Sequence, residues 1–169
     1  HVGRTTAWVT GTLVASIMGV DPRLGLLRIE AAIGRLQRIP GTRVGARSSL
    51  YRSAPFGPIA QPDYVNAVVM LGTRRTPREL LEQMQTIERE LGRTAGERWG
   101  PRRIDLDLLV FGDETVEEDG LKVPHPGIAE RNFVLLPLGE IAPDLFIPGL
   151  GRLADIAVNE SEPRISRIA

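Results

Sequence analysis

Apolar residues interspersed with threonine, glycine and serine make up WVTGTLVAS, residues 8–16, and apolar residues then recur at Leu26, Ile29, Ile33 and Leu36. The first pattern predicts a strand and the second a helix. Between them MGVDP turns the chain, with Asp21 as N-cap and Pro22 as first helical residue, and Pro40-Gly41 stops the helix. Strands are predicted over 44–52 and 64–72, joined by the proline-rich loop APFGPIAQP at 54–62. Thr76, Pro77 and Glu79 spell a capping box that opens a second helix, whose Leu80, Met84, Ile87 and Leu91 face a core before Gly92 ends it. A basic loop follows, then a strand over 104–111, a hairpin through Gly120 and a short helical segment after Asn132. The order βαββαβ predicts an α+β sandwich with a mostly antiparallel sheet and added C-terminal elements.

Composition narrows what such a fold does. At 169 residues and 42% hydrophobic content the chain reads as a single domain spanning 1–169. Residues 1–5 are expected to be a remnant of expression and 159–169 a frayed tail. Twenty-one basic residues balance 21 acidic ones, so a polyanion site requires local clustering. The absence of cysteine excludes disulfides, thiolate zinc sites and a cysteine nucleophile. His1 and His125 are the only histidines, which rules out a multi-histidine metal site. With no long apolar run, the expectation is a cytoplasmic protein with no membrane partner.

The densest chemistry lies in RWGPRRIDLDLLVFG, residues 98–112. Asp105 and Asp107 are two apart on a strand, so both carboxylates share one face, roughly 6 to 7 Å apart, while Ile104, Leu106, Leu108 and Val110 take the other. The spacing suits one or two hard cations shared with substrate phosphates. It equally suits an ion pair between Asp105 and Arg103. Arg93, Arg98, Arg102 and Arg103 crowd a glycine-punctuated segment shaped by Trp99-Gly100-Pro101, and guanidinium groups bind phosphate oxygens multidentately. Neither a P-loop nor a GxGxxG turn is present.

Two further constellations accompany it. Tyr64 and Asn66 share a strand face, offering an aromatic plane and a two-way hydrogen-bonding amide to a flat heterocycle; a core tyrosine beside a strand-end asparagine is the plain reading. In VPHPGIAERNFVLLPL, His125 is held between prolines, with Arg131 and Phe133 close behind. A lone histidine is usually structural.

Taken in order, SLYRSAPFGPIAQPDYVNAVV, ELLEQMQTIERELGR, ERWGPRRIDLDLLVFG and LKVPHPGIAERNFVLLPLGEIAPDL resemble the 6-hydroxymethyl-7,8-dihydropterin pyrophosphokinase family over residues 49–145. That resemblance implies a ferredoxin-like α+β fold that transfers pyrophosphate from ATP to the dihydropterin hydroxymethyl group and releases AMP. Asp105 and Asp107 would hold two Mg2+ ions, with Arg93 and Arg102 acting beside them. Tyr64 and Phe133 would sandwich the pterin, with Trp99 against it, while Ser53, Ala54, Phe56 and Asn66 read its edge. Gln85, Glu88, Arg98, Trp99, Arg102, Leu108, Lys122, His125 and Arg131 match ATP-site positions. The loops at 54–62 and 92–98 are expected to act as lids. The partners implied are ATP and the dihydropterin, with the chain a monomer and no nucleic acid involved.

Two departures from the family stand out. ASIMG, residues 15–19, carries Ile17 where the family's GSNLG has asparagine, which puts the turn after the first strand in doubt. The loop RTAGER is less basic than in relatives. A non-catalytic or weakened nucleotide or pterin binder is the alternative; a ferredoxin-like RNA-binding module is disfavoured by 5% aromatic content and balanced charge.

Overall fold

The computed structural model describes residues 11–20, 22–55, 60–92 and 104–168. Its elements run β1 (Gly11–Val20), α1 (Pro22–Gln37), β2 (Thr42–Arg47), β3 (Tyr51–Ser53), β4 (Tyr64–Thr73), α2 (Pro77–Glu90), β5 (Ile104–Phe111), β6 (Val116–Glu118), β7 (Leu121–Val123), α3 (Asn132–Ile141), β8 (Phe146–Ile147), β9 (Gly151–Arg152) and β10 (Ile165–Arg167). Six strands form one sheet in the order β10-β3-β4-β1-β5, with β2 also paired to β4, and every pairing in it is antiparallel. The architecture is α+β, as the element order predicted.

Helices α1 and α2 cover one face. Ile29, Ala32, Ile33 and Leu36 of α1 join Leu80, Met84 and Ile87 of α2 in a core with Val65, Ala67, Val69 and Leu71 of β4 and Ile104, Leu106 and Leu108 of β5. Helix α3 covers the opposite face: Val134, Leu135 and Leu138 pack with Val68, Leu109 and Val110. The α2 capping box forms as read. Thr76 Oγ accepts the Glu79 N–H at 3.2 Å, and Glu79 returns an acceptor to the Thr76 N–H at 2.8 Å.

Five expectations change. Strand β1 runs on to Val20, and Ile17 is fully buried within it, paired with Ala67 and Leu106. The isoleucine of ASIMG therefore sits in a strand that favours β-branched residues, and the turn follows later. Leu26 is 41% exposed, because the helix meets the sheet through Gly25. A Cβ on Gly19 would lie 2.8 Å from the Gly25 Cα, so this crossing tolerates glycine alone. The strand predicted over 44–52 splits into β2 and β3, with Ser48 between them donating its N–H to the Val68 carbonyl at 2.8 Å. Val110 packs on the α3 face rather than with Leu108, since the β1–β5 register shifts around Leu109. That shift is a β-bulge. Finally, the tail expected to fray supplies β10, which pairs with β3 at the sheet edge. Asp21, the expected N-cap, lies outside the described residues.

Candidate active site

Strand β5 is the sheet edge, and its period of two divides it cleanly over the first five residues. Ile104, Leu106 and Leu108 face α1 and α2, which turns Asp105 and Asp107 to the α3 face, both partly exposed. The register carries that face across the sheet. Asp105 is opposite Met18 on β1, and Met18 is opposite Asn66 on β4, so Asp105 and Asn66 stand in one row two strands apart, about 10 Å.

Around Asp107 the α3 side closes in. Arg131 donates from Nη1 to Asp107 Oδ2 at 3.4 Å, and His125 Nε2 stands 4.0 Å from the same oxygen. His125 is fixed from two sides. Its N–H donates to the Leu109 carbonyl at 2.8 Å, and its Nδ1 accepts the Gly127 N–H at 3.0 Å. The bulge at Leu109 thus anchors the turn that bears the histidine. With Nδ1 accepting, a neutral ring carries its proton on Nε2, aimed toward Asp107. Burial holds the imidazole below its ordinary pKa and outweighs the upward pull of the Asp107 carboxylate. Arg131 lies over the Phe133 ring, 5.9 Å from its centroid, and a Cβ on Gly127 would come within 2.9 Å of Arg131 Nε. Gly127 leaves room for the guanidinium, a role the PHPGIAER string signals only as a glycine four residues before the arginine.

Behind the acidic pair stands Glu88. It is 3% exposed, and its Oε1 accepts the Leu106 N–H, between the two aspartates, at 2.7 Å. Outside the edge of β5, Leu81, Leu106, Asp107, Leu108, Leu121, Lys122 and His125 line a cleft of about 410 Å³. Lys122, at its rim, pairs with Glu117 at 3.2 Å. Gln85 is exposed on α2 and is not among the residues lining this cleft.

The second constellation gathers on the same sheet face. Asn66 is 2% exposed; its Nδ2 donates to Ser53 Oγ at 2.8 Å and to the Tyr51 carbonyl at 3.3 Å. Its Oδ1 is buried without a partner among the described residues, an acceptor open to a donor from a ligand. Tyr64, half-buried at the start of β4, donates its hydroxyl to Gln61 Oε1 at 2.6 Å, and burial raises its pKa. Phe133, at the start of α3, packs partly buried on the cluster that includes Val68, the residue two beyond Asn66 on the same strand face.

Thus Ser53, Ala54, Tyr64, Asn66, Glu88, Asp105, Asp107, Leu108, Lys122, His125, Arg131 and Phe133 lie along one sheet face and its β5 edge. Phe56, Arg93, Arg98, Trp99, Arg102 and Arg103 lie outside the described residues, as do 56–59 of the first expected lid and 93–98 of the second. As a metal site the acidic pair offers oxygen donors only, and no group of three or more His, Cys, Asp or Glu side chains is arranged for a metal among the described residues. A two-carboxylate donor set fits a hard cation that takes its remaining ligands from water and phosphate.

Known proteins resemble this chain over most of its length. The family model for 7,8-dihydro-6-hydroxymethylpterin-pyrophosphokinase matches residues 20–143. The chain is 48% identical over 121 residues to the 2-amino-4-hydroxy-6-hydroxymethyldihydropteridine pyrophosphokinase of Pseudomonas aeruginosa, an overlap covering 72% of this chain and 75% of that one. It is 46% identical over 139 residues to the protein of the same name from Methylorubrum extorquens, covering 81% and 88% respectively. Among solved structures, Plasmodium falciparum HPPK-DHPS with pterin and p-hydroxybenzoate superposes with a TM-score of 0.72 at 15% identity. The match covers 94% of this chain and 45% of that longer one, and at this identity it speaks for the fold.

Proposed function

Since the chain belongs to the 7,8-dihydro-6-hydroxymethylpterin-pyrophosphokinase family, we propose that it transfers the pyrophosphoryl group of ATP to the hydroxymethyl oxygen of 6-hydroxymethyl-7,8-dihydropterin, with AMP as leaving group. The observation that carries this reading is the single sheet face on which Asp105 and Asp107 stand two strands from Asn66. The sheet order β5-β1-β4 with β3 and β2 beyond, and both helices α1 and α2 on one side, supports the ferredoxin-like description.

The pterin would lie between Tyr64 and Phe133, its edge meeting the buried, open Oδ1 of Asn66 and the Ser53–Ala54 backbone. The nucleotide would enter the cleft between α2, β5 and the β6–β7 hairpin, where Leu108 and Leu121 offer an apolar floor and Lys122 a cation at the rim. Its phosphates then run toward Asp107, past the Nε2 of His125 and the guanidinium of Arg131, two donors aimed at one point. Asp105 and Asp107 would hold two Mg2+ ions, which when bound offset phosphate charge and orient the chain of phosphates.

What the protein itself does is positioning. The hydroxymethyl oxygen attacks the β-phosphorus in line, the bond from that phosphorus to the α–β bridging oxygen breaks, and AMP departs with the electron pair. Arg131 and His125 face the charge that accumulates on the phosphate oxygens, and the partly exposed carboxylates are acceptors for the hydroxyl proton. Arg93, Arg98, Trp99 and Arg102 complete the proposal by family resemblance. The same reading takes the chain as a cytoplasmic monomer; no helix among the described residues is long and apolar enough to cross a membrane. A coupled assay for AMP, run with ATP and Mg2+ in the presence and absence of 6-hydroxymethyl-7,8-dihydropterin, tests it. AMP formation that requires the pterin is expected, and pterin-independent AMP overturns the reading.

A further inference from the structure

Asn132, the first residue of α3, belongs to none of the roles above. It is 3% exposed and sits between Arg131, which reaches Asp107, and Phe133. Its Nδ2 donates to two backbone carbonyls, those of Asn159 and Pro163, each at 2.8 Å. With both amide hydrogens engaged by carbonyl oxygens, the orientation of the side chain is fixed. Its Oδ1 is left buried without a partner among the described residues. The unmet Oδ1 costs about 1–3 kcal/mol, which the two bonds made by Nδ2 offset. The amide is there for what its NH2 group holds.

What it holds leads straight to the other wall of the site. Pro163 is bound to Asn132, and the carbonyl of the next residue, Arg164, accepts the Ala54 N–H at 2.9 Å. Ile165 then pairs with Ser53, Ser166 with Arg52 and Arg167 with Tyr51, and the Ile168 N–H donates to the Leu50 carbonyl at 2.8 Å. Ser53 in turn accepts from Asn66. Consecutive carbonyls of one short segment therefore link the start of α3, which carries Phe133, to Ala54, and consecutive Cα atoms across a trans peptide are only about 3.8 Å apart. Asn159 stiffens the segment by accepting from both the N–H and the hydroxyl of Ser161.

We infer that residues 159–168 form a brace that sets the spacing between the Phe133 wall and the Ser53–Ala54 edge, with Asn132 as its latch and hence a positioning residue for pterin binding. This rests on the pterin-site reading above. The brace lies on the pterin side of the sheet and leaves the cleft beyond β5 untouched, so its loss acts on one substrate.

The test is Asn132→Leu, which keeps the branching of the side chain and removes both donors; Asn132→Asp, close to Asn in size, sets an acceptor against the two carbonyls and serves if the first does not fold. The expected result is a pterin KM raised about tenfold, the factor set by about 1.4 kcal/mol, while the ATP KM moves less than about twofold. Titration with 6-hydroxymethylpterin should show the same loss. Amide exchange at Ala54 should accelerate by about tenfold for the same free-energy change, with the Val65 amide unchanged. An unchanged pterin KM, or pterin and ATP KM rising together while Ala54 stays protected, overturns the brace. Should the unaltered protein release no pterin-dependent AMP, the functional reading fails instead, and the exchange and titration still decide whether Asn132 holds Ala54 and pterin affinity together.

Discussion

Replacing Glu88 probes how the acidic strand is held. Among the described residues strand β5 pairs with β1 alone, and the Leu106 N–H on its other side donates to the buried Glu88 side chain at 2.7 Å. Hydrogen bonds to charged groups contribute about 1.5–3 kcal/mol and neutral ones about 0.5–1.5, so Glu88→Gln, which keeps an acceptor, should cost about 1 kcal/mol. Glu88→Leu leaves the Leu106 N–H without this acceptor, a loss of about 1–3 kcal/mol that already includes the bond; about 2 kcal/mol is the expected net. For a domain of this size, about 1 kcal/mol shifts Tm by about 2–4 °C, which predicts losses near 3 °C for Gln and 6 °C for Leu. Leu106 lies between Asp105 and Asp107, so AMP release should fall in the same order, by about tenfold in the Leu variant if about 1.4 kcal/mol of positioning is lost. Thermal melts by circular dichroism and the AMP assay read both. A Leu variant as stable and as fast as the Gln variant would refute the idea that this bond tethers the acidic pair.

Further outcomes follow from other contacts. Gly127→Ala would bring a methyl within 2.9 Å of Arg131 Nε, at the movable end of the side chain, so the guanidinium should swing off Asp107; turnover should drop about tenfold with a Tm change under about 3 °C, measured by the AMP assay and a melt. Burial, and then the hydrogen bond to Glu140, raise the Tyr51 pKa to about 12. Because that exceeds the unfolded value of about 10, the contribution is whole below about pH 10 and is lost as pH rises toward 12, and Tyr51→Phe should flatten this alkaline arm in urea melts. Glu140 has the opposite sign: burial pushes its pKa up, but bonds from Tyr51 and Ser49 outweigh that and lower it. Its contribution is present above about pH 4.3 and lost as pH falls through the lower folded value, so Glu140→Gln should flatten the acid arm.

The acidic pair was legible because a strand's period of two is local: once 104–108 alternates, the faces of Asp105 and Asp107 follow. The capping box at Thr76 and the hairpin through Gly120, which sits at φ 72°, were legible because their signals are local too. Leu109 was not, because four consecutive apolar residues give no phase, and only pairing with β1 reveals the extra residue. Leu26 misled because hydrophobicity favours leucine, whereas the crossing of α1 over β1 requires the missing side chain of Gly25. The 159–168 segment read as polar and loose since its order comes from pairing with β3, more than a hundred residues earlier, and from a single buried amide. Glu88 was marked by its place beside an apolar stripe, yet its partner, a backbone N–H, carries no sequence signal.

If Asp105 and Asp107 make this sheet face a pyrophosphoryl-transfer site, AMP release depends on both. The most direct test measures AMP formed from ATP, with and without 6-hydroxymethyl-7,8-dihydropterin, by the unaltered chain and by Asp107→Ala side by side at matched circular dichroism. Pterin-dependent AMP is expected from the former and a loss of at least about a thousandfold in the latter, equivalent to about 4 kcal/mol of transition-state stabilisation. Near-normal AMP release by a folded Asp107→Ala protein would contradict that dependence.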